Sequence, residues 1–460
     1  MGNFCLNRTP MSARHLVIIG NGISGITLAR HVRKMDSDTL ITVISGESDY
    51  FFSRTALMYV FMGHMKFEHT QPYESWFWEK NQIELKKAWV QKVEFGEKAL
   101  VFDSGEKMTY DILVIATGSK PNKFGWPGQD FEGVQGLYSI QDLELMGKNT
   151  HQGVKRAVIV GGGLIGIEMA EMLSYKKIPV TFLVREKGFW DNVLPKEESD
   201  LVGRHIREHH IDLRLETELK EILSDSKGRV RAIITSKGEE ISCEFVGLTA
   251  GVSPNVDFLR NTELKVNRGV KVDAFFQTNI PDVYAIGDCA EFENPPAADR
   301  RNIEQVWYTG RMHGETLAYN LCKKPVPYQP GIWFNSAKFF DIEYQTYGTV
   351  PSKWNDPKVK SFYWEHALGK VCFRMLMNSD HQILGVNNFG FRLRHEFFDQ
   401  AIREKWSGEK VIAKLDKANF DPEFFAPYYL EIQKAFKAQF GGNFQPAKKS
   451  FIQKLFGASV

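Results

Sequence analysis

Cysteine is scarce in this chain. Five are present among 460 residues (Cys5, Cys243, Cys289, Cys322 and Cys372), and no two are spaced as CxxC or CxxxxC. An odd, scattered set excludes a disulfide framework and suits a reducing compartment. Long apolar runs are missing as well: no stretch of 18 apolar residues occurs, so no membrane-spanning helix is expected. The opening "MGNFCLNRTP" has no apolar signal core, and Leu6 breaks the myristoylation pattern that Met-Gly begins. Met11 is an alternative start. A cytoplasmic location is the expectation. Neither sign of charge dominates, with 58 Lys and Arg against 56 Asp and Glu. A net charge of +2 leaves no electrostatic footprint for nucleic acid.

What is present is globular in composition, 43% apolar and 25% charged, and long enough for two to four domains. Short Val- and Ile-rich runs, most ending in glycine, read as buried strands: "HLVIIG" (15–20), "ITVIS" (41–45), "ILVIATG" (112–118), "AVIVGGG" (157–163), "VTFLV" (180–184), "FVGLTAG" (245–251) and "VYAIGD" (283–288). Helical patterns follow several of them, which implies parallel sheets with helices on both faces. One pattern occurs twice. "GNGISG" (20–25) and "GGGLIG" (161–166) each follow a strand and open a helix. In each, the first glycine (Gly20, Gly161) permits a tight turn and the second (Gly22, Gly163) lets backbone approach a pyrophosphate. The third (Gly25, Gly166) lets the helix pack on the strand, and the helix N-terminus attracts the phosphates. An acid about 20 residues on should bond a ribose hydroxyl, and Glu47 and Glu186 stand there. Two nucleotide-binding folds in one chain is the direct reading.

Further motifs give the chain a family likeness. "TYDILVIATGSKP" (109–121), "TAGVSPN" (249–255) and "VDAFFQTNIPDVYAIGDCAE" (272–291) follow the two loops in order. Together they resemble the FAD- and NAD(P)-dependent pyridine nucleotide-disulfide oxidoreductase superfamily, over roughly residues 14 to 320. The resemblance implies an α/β fold of two Rossmann-like three-layer domains, one for FAD and one for NAD(P), with an α+β C-terminal dimerisation domain. It implies that Ala116, Thr117, Gly118, Gly251, Gly287 and Asp288 line the cofactors, with Gly287 and Asp288 at the flavin's pyrophosphate and ribityl chain. "ILGVNNFG" (383–390) and the segment 397–425 are similar to the dimerisation domain of the coenzyme A disulfide reductase and NADH oxidase branch, which implies a homodimer. The expected domains are 14–150 and 247–324 for FAD, 151–246 for NAD(P), 325–435 for the dimerisation-like domain and 436–460 for a basic amphipathic tail. The tail could dock a partner, lie on a membrane surface, or be a disordered terminus.

In these relatives the segment "YFFSRTALMYVFMG" (50–63) runs beside the isoalloxazine ring, where aromatic walls and a polar group such as Arg54 are understandable. Two or more of Tyr50, Phe51 and Phe52 are expected to be plain core. A redox cysteine is absent here: Thr55 occupies the slot where the disulfide-reducing relatives hold it, and a hydroxyl cannot cycle through a sulfenate. Ferredoxin-reductase-like relatives place a lysine near Tyr59, paired with a glutamate that Glu168 matches; this chain lacks the lysine. Glu168, one turn into the second cradle's helix, is the candidate contact for the nicotinamide edge. Glu304 and Trp307 begin the helix that in the family points at the flavin's pyrimidine edge, with Trp307 either a lid or core.

Hydride would pass from NAD(P)H to FAD. With no protein dithiol, the electrons would leave to an external acceptor: an iron–sulfur or other redox protein, a quinone, oxygen or a small oxidant. Glu186 favours NADH, although Arg185 and Lys187 beside it could receive a 2′-phosphate. Finally, "RHIREHH" puts His205 and His209 at i, i+4, but without the acid of a metalloprotease between them; a solvated helix face is expected there and no metal site.

Overall fold

The computed structural model describes residues 14–151, 153–420 and 427–441. Cys5, both candidate start methionines and all of the tail beyond residue 441 lie outside them. The chain divides into two compact units. One draws on Met1–Phe124, Gln135–Gln152 and Gly251–Pro330, and the other on Gly125–Val134, Gly153–Ala250 and Gly331–Val460.

The first unit is built on a five-stranded parallel sheet. Its elements are β1 (His15–Ile19), α1 (Ile23–Met35), β2 (Leu40–Ser45), β3 (Ile83–Lys87) and β4 (Ile112–Ile115). The order is the Val283–Ala285 strand, then β4, β1, β2 and β3, and every pair is parallel. β1, β2 and β4 are buried over nearly their whole length, sharing one apolar core with Leu28 and Val32 of α1 and with Val93, Leu100 and Phe102 of an antiparallel strand pair. Such strands need apolar residues at every position, hence the continuous runs in place of alternation. The chain leaves β1 towards β2 on one side, while β4 flanks β1 on the other. The carboxyl ends of β1 and β4 therefore form a topological switch point, the usual place for a ligand crevice in an open α/β sheet.

The second unit repeats this plan with β5 (Ala157–Val160), α2 (Leu164–Tyr175), β6 (Val180–Leu183), α3 (Lys196–Glu208), β7 (Asp212–Arg214) and β8 (Phe245–Leu248). Four parallel strands lie in the order β7, β6, β5, β8. The same unit holds an antiparallel sheet of β9 (Phe334–Phe339), β10 (Ile342–Gly348), β11 (Lys360–Glu365), β12 (Cys372–Met377) and β13 (Ile383–Phe389), in the order β9, β10, β13, β12, β11. Helices His395–Arg403 and Tyr429–Phe440 pack on it through Phe398, Ile432 and Phe436. This is the α+β arrangement anticipated for the C-terminal region.

One expectation is corrected here. His205 does not lie on a solvated face: α3 buries Leu201, Val202, His205 and Ile206 together. These positions make an i, i+1, i+4, i+5 stripe, and the charges of "RHIREHH" concealed it. The other end of α3 is tied by charge. Arg374 on β12, 2% exposed, donates to Glu198 and to Glu197, both at 2.6 Å, and to Ser361 at 2.7 Å. Glu198 is itself fully buried, so removing its partner strands a carboxylate without solvent. Arg374→Met should cost about 3–5 kcal/mol in urea unfolding. Adding Glu198→Gln should recover part of that loss, because a neutral amide is cheaper to bury than a charge.

Candidate active site

Each parallel sheet carries one glycine cradle. In the first unit, a Cβ on Gly20 would lie 2.1 Å from the Ala116 carbonyl oxygen, and one on Gly25 2.1 Å from that of Gly20. Both positions exclude any side chain. Gly22, the N-cap of α1, differs: a Cβ there would meet nothing within 4 Å. The second unit repeats this division. Cβ atoms on Gly161 and Gly166 would fall 2.7 Å from the Thr249 oxygen and 2.5 Å from the Gly161 oxygen, whereas Gly163, the N-cap of α2, faces open space. Neither helix has an acid in its first turn, so the free N–H groups and the positive dipole end are available to an anion. The middle glycine open and the outer two packed is what a pyrophosphate cradle requires. The residues present therefore fit a dinucleotide in each unit.

Around the first cradle runs a polar network. Glu47, just past β2, holds Arg54 through both carboxylate oxygens at 2.8 and 2.6 Å, and accepts from the Ile140 N–H at 3.0 Å. Three of its four lone-pair sites are thus taken by protein, and a ribose hydroxyl would have to share what is left. Arg54 also donates to the Tyr138 carbonyl at 2.6 Å and lies over the Phe52 and Tyr138 rings. Ser119 donates to Asp288 at 2.9 Å and accepts from Gln305 at 2.8 Å, while the Tyr138 hydroxyl accepts from the Ser119 N–H at 3.0 Å. Burial pushes the Asp288 carboxyl above its usual range, opposed by Ser119 and by the charge of Arg54. Asn255 donates to Gly118, Asn122 donates to Gly251, and Thr117 donates to Asn255, joining the "ATGS" and "AGVSPN" turns.

Behind Gly287 lies a second, sealed network. The Gly287 N–H donates to His313 Nδ1 at 3.1 Å, so the ring proton is on Nε2, which donates to Glu304 at 3.4 Å. Arg300 and the Tyr328 hydroxyl also donate to Glu304, at 2.8 and 3.0 Å. Burial raises the Glu304 carboxyl, but these partners pull it below the ordinary value. Glu304 is thus enclosed by protein and braces the fingerprint loop from behind, where cofactor contact had been expected. Trp307 is half-buried at the start of the Trp307–Cys322 helix, edge-on to Tyr308. Phe51 and Phe52 are buried core, and Tyr50 packs against that core. Thr55 is exposed, and Tyr59 stacks on His64.

Sequence reasoning missed Tyr138, Ser119, His313 and Tyr328. A signal existed for the first: "YSIQD" carries a capping box, with Ser139 and Asp142 bonding each other's backbone at the start of the Ile140–Asn149 helix. That box fixes Tyr138 immediately outside the helix.

A family model described as pyridine nucleotide-disulphide oxidoreductase matches residues 14–314. The chain belongs to this family. It is 25% identical over 423 residues to the assimilatory nitrate reductase electron transfer subunit of Bacillus subtilis, covering 91% of this chain and 52% of that protein. It is 29% identical over 320 residues to the ferredoxin–NAD(+) reductase component of the p-cumate 2,3-dioxygenase system of Pseudomonas putida, covering 69% of this chain and 77% of that one. The solved NAD-dependent persulfide reductase of A. fulgidus shares the fold at a TM-score of 0.79 and 22% identity, over 93% of this chain and 84% of that one. The chain spans about half the length of the Bacillus subtilis relatives it matches. The family's cofactors, FAD and NAD(P)H, suit the two cradles.

The four described thiols are all raised above their ordinary value. Burial pushes Cys243 up to about 12 and Cys289 to about 11, and Cys322 and Cys372 are raised too. Cys289 spends its proton on the Ile115 and Ile286 carbonyls. In the second cradle, burial and then the charge of Glu171 raise Glu168 to about 7. Glu186, just past β6, accepts from Arg185 at 2.7 Å.

Gly22→Val should leave the fold intact, since no protein atom is in its way, yet abolish flavin binding. Gly25→Val should disrupt the fold itself. The ratio of 450 nm to 280 nm absorbance, read beside circular dichroism, separates the two outcomes.

Proposed function

We propose that this chain is the reductase partner of a separate redox protein, taking hydride from NADH and delivering electrons to an iron–sulfur or similar acceptor. FAD supplies the step between, accepting a two-electron hydride and releasing electrons to the acceptor. The thiols support this reading: burial raises every described cysteine above its ordinary value, and by the family resemblance an exposed Thr55 stands where the disulfide-reducing relatives hold their redox cysteine. Without a thiol relay, electrons leave the flavin for an outside acceptor. The relatives named as an electron transfer subunit and a ferredoxin–NAD(+) reductase component support it.

The residues divide the work. The α1 and α2 N-termini hold the pyrophosphates. Asp288, positioned by Ser119 and Tyr138, would bond a ribityl hydroxyl. Glu186 favours NADH by bonding its ribose diol, and Glu168 meets the nicotinamide edge. A homodimer and a cytoplasmic site of action complete the proposal. Among the described residues no helix is long and apolar enough to cross a membrane.

The deciding test is anaerobic. NADH should bleach the bound flavin, a small ferredoxin or rubredoxin should restore its colour, and prior alkylation of the thiols should leave both rates unchanged. If alkylation stops reoxidation while FAD stays bound, a cysteine carries the electrons and the reading fails.

Glu168 gives a second test. Its pKa near 7 in the fold exceeds the unfolded value of 4.5. The burial penalty is therefore absent below the unfolded value and complete once pH has risen above about 7. The charged form that appears over that rise attracts the cationic ring of NAD+. NAD+ binding should tighten by about fivefold between pH 6 and 8, equivalent to ~1 kcal/mol of short-range attraction. In Glu168→Gln the profile should be flat.

A further inference from the structure

The histidine pair on α3 has a third companion that the sequence did not disclose. Asp341, in the two-residue turn between β9 and β10, brings its Oδ1 within 2.6 Å of His205 Nε2 and 3.2 Å of His209 Nε2. The two Nε2 atoms are 3.2 Å apart. Three lone-pair-bearing atoms from three residues thus converge on one point. From this geometry we infer a binding site for a single divalent transition-metal ion, Zn2+ foremost, held by His205, His209 and Asp341 with water completing the shell.

The distances suit such an ion. Four-coordinate Zn2+ with bonds of ~2.0–2.1 Å separates its ligand atoms by about 3.3–3.4 Å, so the two 3.2 Å separations already suit an ion, and the exposed Asp341 carboxylate need only draw back from His205 by about 0.7 Å. The surroundings also prepare the ligands. His205 Nδ1 is 3.4 Å from a Glu208 carboxylate oxygen. With the Nδ1 proton turned to that carboxylate, Nε2 is free to ligate an ion, and a carboxylate behind a histidine is the usual second partner of a metal ligand. His209 is fixed by the Phe340 ring, stacked at 4.1 Å and 9°. Lys370 bonds the other oxygen of Asp341 at 3.3 Å, leaving Oδ1 turned to the imidazoles. Phe340 holds a φ of +57°, a costly backbone state for a bulky residue and one that clusters at functional sites.

Burial is graded as an entry path requires. His205 is 1% exposed, whereas the side chains of His209 and Asp341 are 36% and 58% exposed. An ion can arrive from solvent and retain a water on the outer side. Two imidazoles and one carboxylate select Zn2+ and its neighbours over Ca2+ or Mg2+, which prefer oxygen ligands throughout. The ion would clip the C-terminal end of α3 to the β9–β10 turn, as Arg374 clips its N-terminal end to β12. Its role is to fasten these elements together, distinct from the nucleotide cradles and independent of the electron acceptor.

The competing arrangement is a proton on each imidazole, both shared with Asp341, which binds no metal. The test uses the full-length flavoprotein without a histidine tag, stripped with a chelator and returned to buffer. Zn2+ competed against a chromophoric chelator should bind at about one ion per chain with micromolar affinity or tighter. A hundredfold excess over the dissociation constant should raise the thermal midpoint by about 2 °C or more. Co2+ should give the absorption near 600 nm of a tetrahedral N/O site. His209→Gln and Asp341→Asn should each lower affinity at least tenfold and cut the thermal shift to about half or less, with bound FAD unchanged. Asp341→Asn replaces an exposed side chain and keeps the test available if a histidine variant folds poorly. Absence of stoichiometric binding in the parent protein, or equal binding in both variants, overturns the inference.

Discussion

One close backbone approach, repeated in both cradles, is the constraint from which the chemistry follows. In both cradles the first turn of a helix rests directly on the carbonyl of the glycine that opens the loop, at a distance no Cβ could share. That contact sets where the helix begins relative to the strand. The strand end, the open middle glycine and the free N–H groups then have one possible arrangement. The switch points in the strand order place these helix ends at a crevice. Anion affinity is thus a by-product of packing, obtained without a single basic side chain in either loop.

Around the flavin cradle the protein commits charge to holding loops. Glu47 joins the end of β2 to Arg54 and to the Ile140 helix start, and Arg54 reaches Tyr138. Ser119 links Asp288 to Gln305. Under the fingerprint, Arg300, Glu304, His313 and Tyr328 form a closed set in which a neutral histidine accepts from the Gly287 backbone. Unpaired, any of these buried groups would be expensive; paired, they rigidify. Segments distant in sequence are therefore locked at the point where a cofactor needs fixed walls.

The sheets and cradles were legible because their physics is local. A run such as "AVIVGGG" states strand, turn and helix start within a few residues, and the duplication of the loop removed ambiguity. The buried Phe51 and Phe52 followed from the same reading of the 50–63 segment. Glu304 and His205 were misjudged for a shared reason. Each is polar, and its burial depends on partners far along the chain: Tyr328 and His313 for one, the apolar stripe of α3 for the other. Asp341 gave no sign at all, since nothing in a two-residue turn indicates that it faces a helix more than a hundred positions earlier. Tyr138 was recoverable through the capping box beside it.

The strand Val283–Ala285 forms the outer edge of the first parallel sheet, hydrogen-bonded to β4. β4 is complete at Ile115, but during synthesis its outer side has no covering until Val283 has been made. At ~5–20 residues per second that interval is roughly ten to thirty seconds. For that time an apolar "ILVI" strand presents unpaired N–H and C=O groups, the template on which foreign strands add. The second unit's parallel strands, made within the interval, mature while the first sheet is still unfinished. A chain that stops before Val283 would carry a complete first glycine loop and a permanently open edge. The natural minimum of this flavin fold therefore extends through residues encoded after the whole of the second cradle.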